Sequence, residues 1–314
     1  MKIIVTGAAG FIGSHLCEFL LNNGKHEVIG IDAFVREELK IIGSKNMETF
    51  YSHPRFTLIS SDLLHIDWNV MLKGVDVVFH LAGIPGVRSS WGNDFRNYVE
   101  TNILATQQLL EACRSSAIKK IIFASTSSVY GEKAGKVPED SSTAPLSPYG
   151  VSKLTGEQLC RVYWKNDGVP IVILRFFTVY GPRQRSDMAF HRFIKQMIKN
   201  EPITLIGDGT QSRDFTYISD CVEATAAVAN QPTLIGETIN IGGKERSSIL
   251  NVIRILENLT GKQATIVNAG AMRGEPMHTW ADISKAARIL NYEPKVSLTA
   301  GLAEELAYLT KYYS

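Results

Sequence analysis

The sequence predicts a doubly wound α/β fold: a parallel sheet covered by helices on both faces, with a smaller mixed α/β lobe after it. Three observations carry this. Strand-like and helix-like segments alternate through the first half of the chain. The strand-like segments are short, β-branched and continuously apolar, as strands buried on both faces must be. The first of them also runs into a helix through a glycine-rich turn, Gly7-Ala8-Ala9-Gly10-Phe11-Ile12-Gly13.

Taken in order, Lys2–Thr6 is the first strand and Phe11–Leu21 repeats apolar residues at helical spacing. Further strands are expected at Glu27–Ile31, Phe56–Ser60, Asp76–His80, Lys120–Ser125 and Ile171–Leu174, with helices at Asn97–Arg114 and Ser152–Trp164. Their crossovers should be right-handed. After Arg175 the rhythm changes. Short strands at Ile203–Ile206, Thr238–Ile241 and Ala264–Val267 mix with helices at Ala189–Lys199, Ile218–Ala229, Ser247–Leu259, Ile283–Leu290 and Leu302–Tyr312. The expected division is a dinucleotide-binding domain at 1–174 and a second lobe at 175–314 closing a cleft over the strand C-termini. Thr238–Ile241 could rejoin the main sheet.

Composition excludes several classes. The chain has 314 residues, 45% of them apolar, and a formal net charge of +2. There is no basic stripe to suggest nucleic acid, no apolar run of membrane-spanning length and no signal-peptide pattern at the start, so the cytoplasm is the expected compartment. Cys17, Cys113, Cys160 and Cys221 are scattered without a C-x-x-C pair, which reads as four small core thiols. The seven histidines form no ligand cluster, so no metal is expected, and His80 at a strand end reads as a packed residue.

The glycine turn describes a place for a dinucleotide. Gly7, Gly10 and Gly13 would permit the tight turn, the close approach of backbone to a pyrophosphate and the packing of helix on strand. Phe11 and Ile12 open the helix whose N-terminus meets the phosphate charge. The spacing is G-x-x-G-x-x-G, and its place between strand and helix gives it meaning. Asp32 ends the second strand, nineteen residues after Gly13. A carboxylate there can accept from both ribose hydroxyls and repels a 2′-phosphate, which favours NAD over NADP. Asp62-Leu63 follows the third strand, where an adenine edge would lie. Leu81-Ala82-Gly83 follows the fourth, where small residues admit adenosine ribose and phosphates.

Tyr149 and Lys153 describe something to do there. Four apart on a helix, they share one face, and a cationic Lys favours a phenolate. A phenolate beside a hydride acceptor is a general base for a hydroxyl, which is alcohol–ketone chemistry.

These residues together resemble the extended short-chain dehydrogenase/reductase family, in its nucleotide-sugar epimerase and dehydratase branch. The resemblance spans essentially the whole chain, through Thr126-Ser127-Ser128-Val129-Tyr130-Gly131, Tyr149–Lys153, Arg175–Pro182 and Gly207–Phe215 besides the cofactor motifs. It implies that Tyr149 is the general base, that Lys153 contacts the nicotinamide ribose, and that Thr126 holds the reacting hydroxyl. The residues after Thr126 separate the branch's chemistries. The 4,6-dehydratases resemble Thr-Asp-Glu there and the decarboxylases Thr-Ser-Glu, because those reactions need a carboxyl acid or base. Ser127 and Ser128 offer none, which leaves reversible oxidation at one sugar carbon.

By the same resemblance the second lobe binds a UDP-sugar. Arg213 and Arg273 would take the diphosphate, Glu275 the ribose hydroxyls, and the Ile203–Ile206 backbone the uracil. Thr178 stands where members acting on UDP-glucose typically carry Asn. The run from Arg175 to Ala189 resembles members acting on UDP-glucuronate. Arg185, assisted by Thr178, is then the first candidate for the sugar carboxylate and Arg88 the second. The expected activity is 4-epimerisation of UDP-glucuronate. The alternatives are 4-epimerisation of UDP-glucose or a UDP-N-acetylhexosamine, decarboxylation of UDP-glucuronate, and a dinucleotide-sensing regulator. By analogy the helices at Asn97–Arg114 and Ser152–Trp164 would pair two copies into a homodimer.

Overall fold

A computed structural model describes every residue except Arg36, Ala271, Met272 and Ser314, and the side chains of residues 37–39. The strands are β1 (Lys2–Thr6), β2 (Glu27–Asp32), β3 (Phe56–Ser60), β4 (Val77–His80), β5 (Lys120–Thr126), β6 (Ile171–Phe176), β7 (Thr178–Tyr180), β8 (Ile203–Leu205), β9 (Ser212–Tyr217), β10 (Thr238–Ile241), β11 (Glu245–Ser248) and β12 (Ile266–Asn268). Seven of them form one sheet in the order β10-β6-β5-β4-β1-β2-β3. Every neighbouring pair in it is parallel. Strand order reverses between β1 and β4, so a crevice opens over their C-terminal ends, where such folds bind ligands.

The helices are α1 (Phe11–Asn22), α2 (Glu37–Met47), α3 (Trp68–Met71), α4 (Phe95–Tyr98), α5 (Ala105–Cys113), α6 (Pro148–Asp167), α7 (Ala189–Ile198), α8 (Ile218–Ala229), α9 (Ile249–Thr260), α10 (Ser284–Leu290) and α11 (Leu298–Tyr313). One face of the large sheet packs on α1, α8 and α10, through residues such as Leu16, Leu20, Val222, Val228 and Leu290. The other packs on α3, α5 and α6, through Trp68, Leu109, Leu110 and Cys160. A separate core of Phe190, Phe193, Ile194, Val252, Leu256 and Leu302 joins α7, α9 and α11. The four cysteines are free and buried, and burial pushes their thiols up, Cys113 and Cys221 to about 12. None of the described helices is long and apolar enough to cross a membrane.

The chain passes between the two lobes more than once. β6 ends at Phe176, and β7 begins two residues later in a three-stranded sheet ordered β11-β9-β7. β10 returns to the large sheet beside β6 and leaves it again for β11. Gly242 and Gly243 make that second exit. A Cβ on Gly243 would lie 1.7 Å from the Phe215 carbonyl oxygen, so only glycine lets the strands cross so closely. Asp214 ties the crossing by accepting from the Gly243 and Ala281 N–H groups.

Some elements differ from the sequence expectation. The helix expected at Asn97–Arg114 is α4 and α5 joined by a π-helical turn, Val99–Leu104. The helix expected at Ser152–Trp164 starts four residues earlier, because Ser147 caps it and Pro148 occupies its first position. β7, β9 and β11 come from polar or mixed segments without continuous apolar character.

Candidate active site

The cofactor cradle is built by close backbone approach. Gly7 has φ +72°, and a Cβ there would lie 3.0 Å from the Ala82 backbone. A Cβ on Gly13 would lie 2.0 Å from the Gly7 carbonyl oxygen. No side chain caps α1 at Gly10, so the first-turn N–H groups, including those of Phe11 and Ile12, face the crevice as an anion site. Thr6 links the layers: its hydroxyl accepts from the Ala82 N–H at 3.0 Å and meets His80 Nδ1 at 2.9 Å. His80 also meets Thr106 at 3.0 Å, and burial pushes it down to about 3. It is a neutral packed link.

Asp32 ends β2 with its carboxylate accepting from the N–H groups of Ala9 (3.0 Å) and Phe34 (2.9 Å). Burial pushes its pKa up, and these bonds oppose that. Asp62 caps the turn at Leu63–His65 by accepting from the Leu64 N–H, and Leu63 is buried beneath it. Leu81, Ala82 and Gly83 follow β4 at the switch point. A Cβ on Gly83 would lie 3.0 Å from Asn102 and 3.8 Å from Lys153 Nζ. A floor of bare backbone, an open helix N-terminus and a terminal carboxylate fit NAD.

Tyr149 stands in the first turn of α6. Gly150 lets that turn approach Ser128, since a Cβ there would be 2.7 Å from the Ser128 carbonyl oxygen. This sets Tyr149 beside the Thr126–Ser128 turn, where the Ser128 N–H donates to the Thr126 hydroxyl at 3.2 Å. Burial pushes the Tyr149 phenol up, while the Thr126 hydroxyl and the Arg185 charge favour the phenolate. The sequence predicts Lys153 as the main depressing charge. It lies instead with Nζ 4.2 Å from the centre of the Phe123 ring, and burial pushes it down to about 8 against the pull of Cys160 and Glu157.

The sequence reading missed the frame around this pair. Asn102, in the π-helical turn, accepts from the Ile84 N–H at 2.8 Å and donates to Ile84 O and Ser152 Oγ, each at 3.0 Å. It thereby joins the Gly83 loop to α6. A buried Asn in an otherwise apolar helical face was the available signal. Glu157 and Arg175, both buried, form a two-bond pair at 2.8 and 2.7 Å, and Ser125 donates to Glu157 at 2.6 Å. The pair ties α6 to β5 and β6.

On the opposite wall, Glu275 bridges Arg88 (3.0 Å) and Arg213 (3.0 Å). Arg88 comes from the loop after β4 and Arg213 from β9, so one carboxylate joins the lobes. Burial pushes Arg213 down and Glu275 opposes that. Arg273 stacks 3.9 Å above Trp91, a residue the sequence reading passed over. Arg185 makes a two-bond pair with Asp187. Thr178 opens β7 and Ser127 opens the turn after β5. Among the described residues no group of three or more His, Cys, Asp or Glu could hold a metal ion.

Known proteins resemble this chain in sequence and fold. A family model described as NAD dependent epimerase/dehydratase matches residues 3–242. A Bacillus subtilis (strain 168) protein named "Uncharacterized UDP-glucose epimerase YtcB" is 60% identical over 100% of this chain and 99% of its own. A UDP-glucuronate 4-epimerase of Thermodesulfobacterium geofontis is 39% identical over 95% of this chain and 93% of its own. A crystal structure of a Bacillus cereus UDP-glucuronic acid 4-epimerase with UDP-glucuronic acid and NAD superposes with a TM-score of 0.98. It is 56% identical, with all of both chains covered.

Proposed function

The chain belongs to the NAD dependent epimerase/dehydratase family, and from that premise we propose that it interconverts UDP-glucuronate and UDP-galacturonate by inverting C4. One observation carries this reading. Tyr149 is served by a threonine and a cation, Thr126 and Arg185, with serine and not a carboxylate at 127 and 128. That site can oxidise and re-reduce a carbinol and greet a carboxylate, and it lacks an acid for elimination. The Thermodesulfobacterium and Bacillus cereus relatives act on or bind UDP-glucuronate by name, which supports the choice of sugar.

When bound, NAD supplies the hydride acceptor at C4 and then the donor to the opposite face. The chain's own residues do the rest. Thr126 holds the 4-hydroxyl, and Tyr149 takes its proton as the ketone forms and returns it as the ketone is reduced. Lys153 and Asp32 hold the two riboses of NAD, and Gly7, Gly10 and Gly13 with Phe11 and Ile12 hold the pyrophosphate. Asp62, Leu63 and Leu81–Gly83 enclose the adenosine. Arg213 and Arg273 take the substrate diphosphate, with Arg88 beside them, and Glu275 takes ribose hydroxyls. The intermediate is a β-keto acid, which loses carbon dioxide when its carboxylate bond aligns with the ketone π system. Arg185 and Thr178 clamp the carboxylate out of that alignment, and Ser127 and Ser128 line the same wall.

The test uses purified protein without added NAD, given UDP-glucuronate or UDP-glucose, with the sugar followed by proton NMR. UDP-galacturonate from UDP-glucuronate alone is the expected result. UDP-galactose from UDP-glucose would move the enzyme to the neutral-sugar reading, which the name of the Bacillus subtilis relative favours. A pentose product would make it a decarboxylase. We further propose a cytoplasmic homodimer. Val99 and Leu104 beside α5, and Val151 and Val162 three turns apart on α6, are exposed on packed neighbouring helices, a face that suits a second copy.

A further inference from the structure

We infer that Asp187 sets the affinity and selectivity of the carboxylate site by holding the Arg185 guanidinium as a resident stand-in for a substrate carboxylate. The inference rests on the uronate reading above. The segment around Arg185 is fastened along its backbone. Gly181 N–H donates to Glu305 at 3.0 Å, Pro182 O meets His15 Nε2 at 2.9 Å, Gln184 donates to Val179 O at 3.1 Å, and the Met188 N–H closes a turn onto Arg185 O at 3.1 Å. That turn brings the side chains at 185 and 187 together. Arg185 Nε and Nη2 then donate to the two Asp187 oxygens at 2.9 and 2.8 Å, and Nη2 also meets Met188 Sδ at 3.6 Å.

The Arg185 charge reaches the reacting phenol. The Arg185 side chain is 22% exposed and its charge acts on Tyr149, whereas Asp187 is 53% exposed. A carboxylate on the bound sugar is the same planar acceptor that Asp187 presents, so the fork can pass from one to the other without losing a two-bond partner. Asp187 then gives up the guanidinium while staying within the field of Arg192 and His191. A neutral hydroxymethyl group offers no such exchange, and Arg185 stays with Asp187. The internal pair therefore competes only with uronates. Exposed pairs are weak, so removing the competitor should tighten a uronate by roughly three- to fivefold.

Asp187 is a positioning residue in this account, and binding to the NAD-loaded protein tests it. Dissociation constants for UDP-glucuronate and UDP would be measured by titration calorimetry in wild type, Asp187→Asn, Asp187→Glu, Arg185→Ala and the Arg185→Ala/Asp187→Asn double variant. The expected result is tighter UDP-glucuronate binding in Asp187→Asn with UDP unchanged, wild-type values in Asp187→Glu, and no gain in the double variant. Unchanged or weaker UDP-glucuronate binding in Asp187→Asn, or an equal shift for UDP, overturns the role of Asp187. If Arg185→Ala leaves UDP-glucuronate affinity unchanged, the carboxylate assignment of Arg185 has failed and the inference falls with it.

Discussion

Two side chains, Tyr149 and Lys153, occupy positions that work against their own charged forms. Burial raises Tyr149 and lowers Lys153 to about 8, so the base of this site is not a phenolate by default. Thr126 and Arg185 favour that form, and a positively charged nicotinamide ring beside it would favour it further. The difference in phenolate absorbance between wild type and Tyr149→Phe should therefore titrate above the ordinary Tyr range without NAD⁺, and at lower pH once NAD⁺ is bound. Equal midpoints would remove the cofactor from the ionisation. Lys153 makes a second, thermodynamic prediction. Its folded pKa lies below its unfolded value of 10.5, so its charge opposes folding most below pH 8, and that cost fades as pH rises toward 10.5. The size is roughly 3 kcal/mol. Lys153→Met should unfold at higher denaturant than wild type at pH 7.5, and the gap should shrink to roughly a quarter by pH 10 and vanish above 10.5. A gap independent of pH would mean that packing and not charge decides. At this scale Gly7, Gly13 and Asp32 were legible, because close backbone approach demands glycine at the first two and a strand-end carboxylate takes backbone N–H groups at the third. Asn102, Glu157 and Asp187 were not, because their value lies in partners far along the chain or in a turn with no periodic signature.

Elements built from repetition were legible and elements built from contact were not. The six early strands followed from apolar runs, and α1, α5 and α6 from 3.6-residue spacing, whereas α2 and α3 were not foreseen. The π-helical turn at Val99–Leu104 breaks no composition rule, so one continuous helix was the natural reading. β9, reading Ser-Arg-Asp-Phe-Thr-Tyr, is a strand because β7 and β11 flank it. The β1–α1 turn lies at the legible extreme. Adding a methyl at Gly13 puts carbon 2.0 Å from a carbonyl oxygen, and a backbone atom cannot swing aside. Gly13→Ala should lose bound NAD entirely, measured as absorbance released on denaturation, and lower the melting temperature by several degrees. Retention of stoichiometric NAD would show that the turn has more slack than its geometry allows.

Over the whole molecule, the lobes meet across the cleft, and in the proposed dimer two copies would meet as well. Glu275 closes the first by joining Arg88 to Arg213. The proposed second contact would use Val151 and Val162 on α6 and Leu104 on the neighbouring helical segment, all of them exposed. Sedimentation should give twice the chain mass for wild type, and Val162→Glu with Leu104→Glu should give the single mass with folding retained. A monomeric wild type would end the dimer proposal. The expected boundary near residue 175 came with the provision that Thr238–Ile241 could rejoin the main sheet. It does so, as β10 pairs with β6 some sixty residues after that strand.

That late strand has a consequence for how the protein is made. While the ribosome is still adding residues 177 to 237, β6 is the outermost strand of the sheet, and its six residues, Ile171–Phe176, are all buried in the finished molecule. A bare apolar border of that kind invites pairing with another chain. A chain truncated after residue 174 should therefore aggregate during expression, and one extended through Ile241 should not be lost by that route. Until β10 has docked, that border has no strand of its own chain beside it.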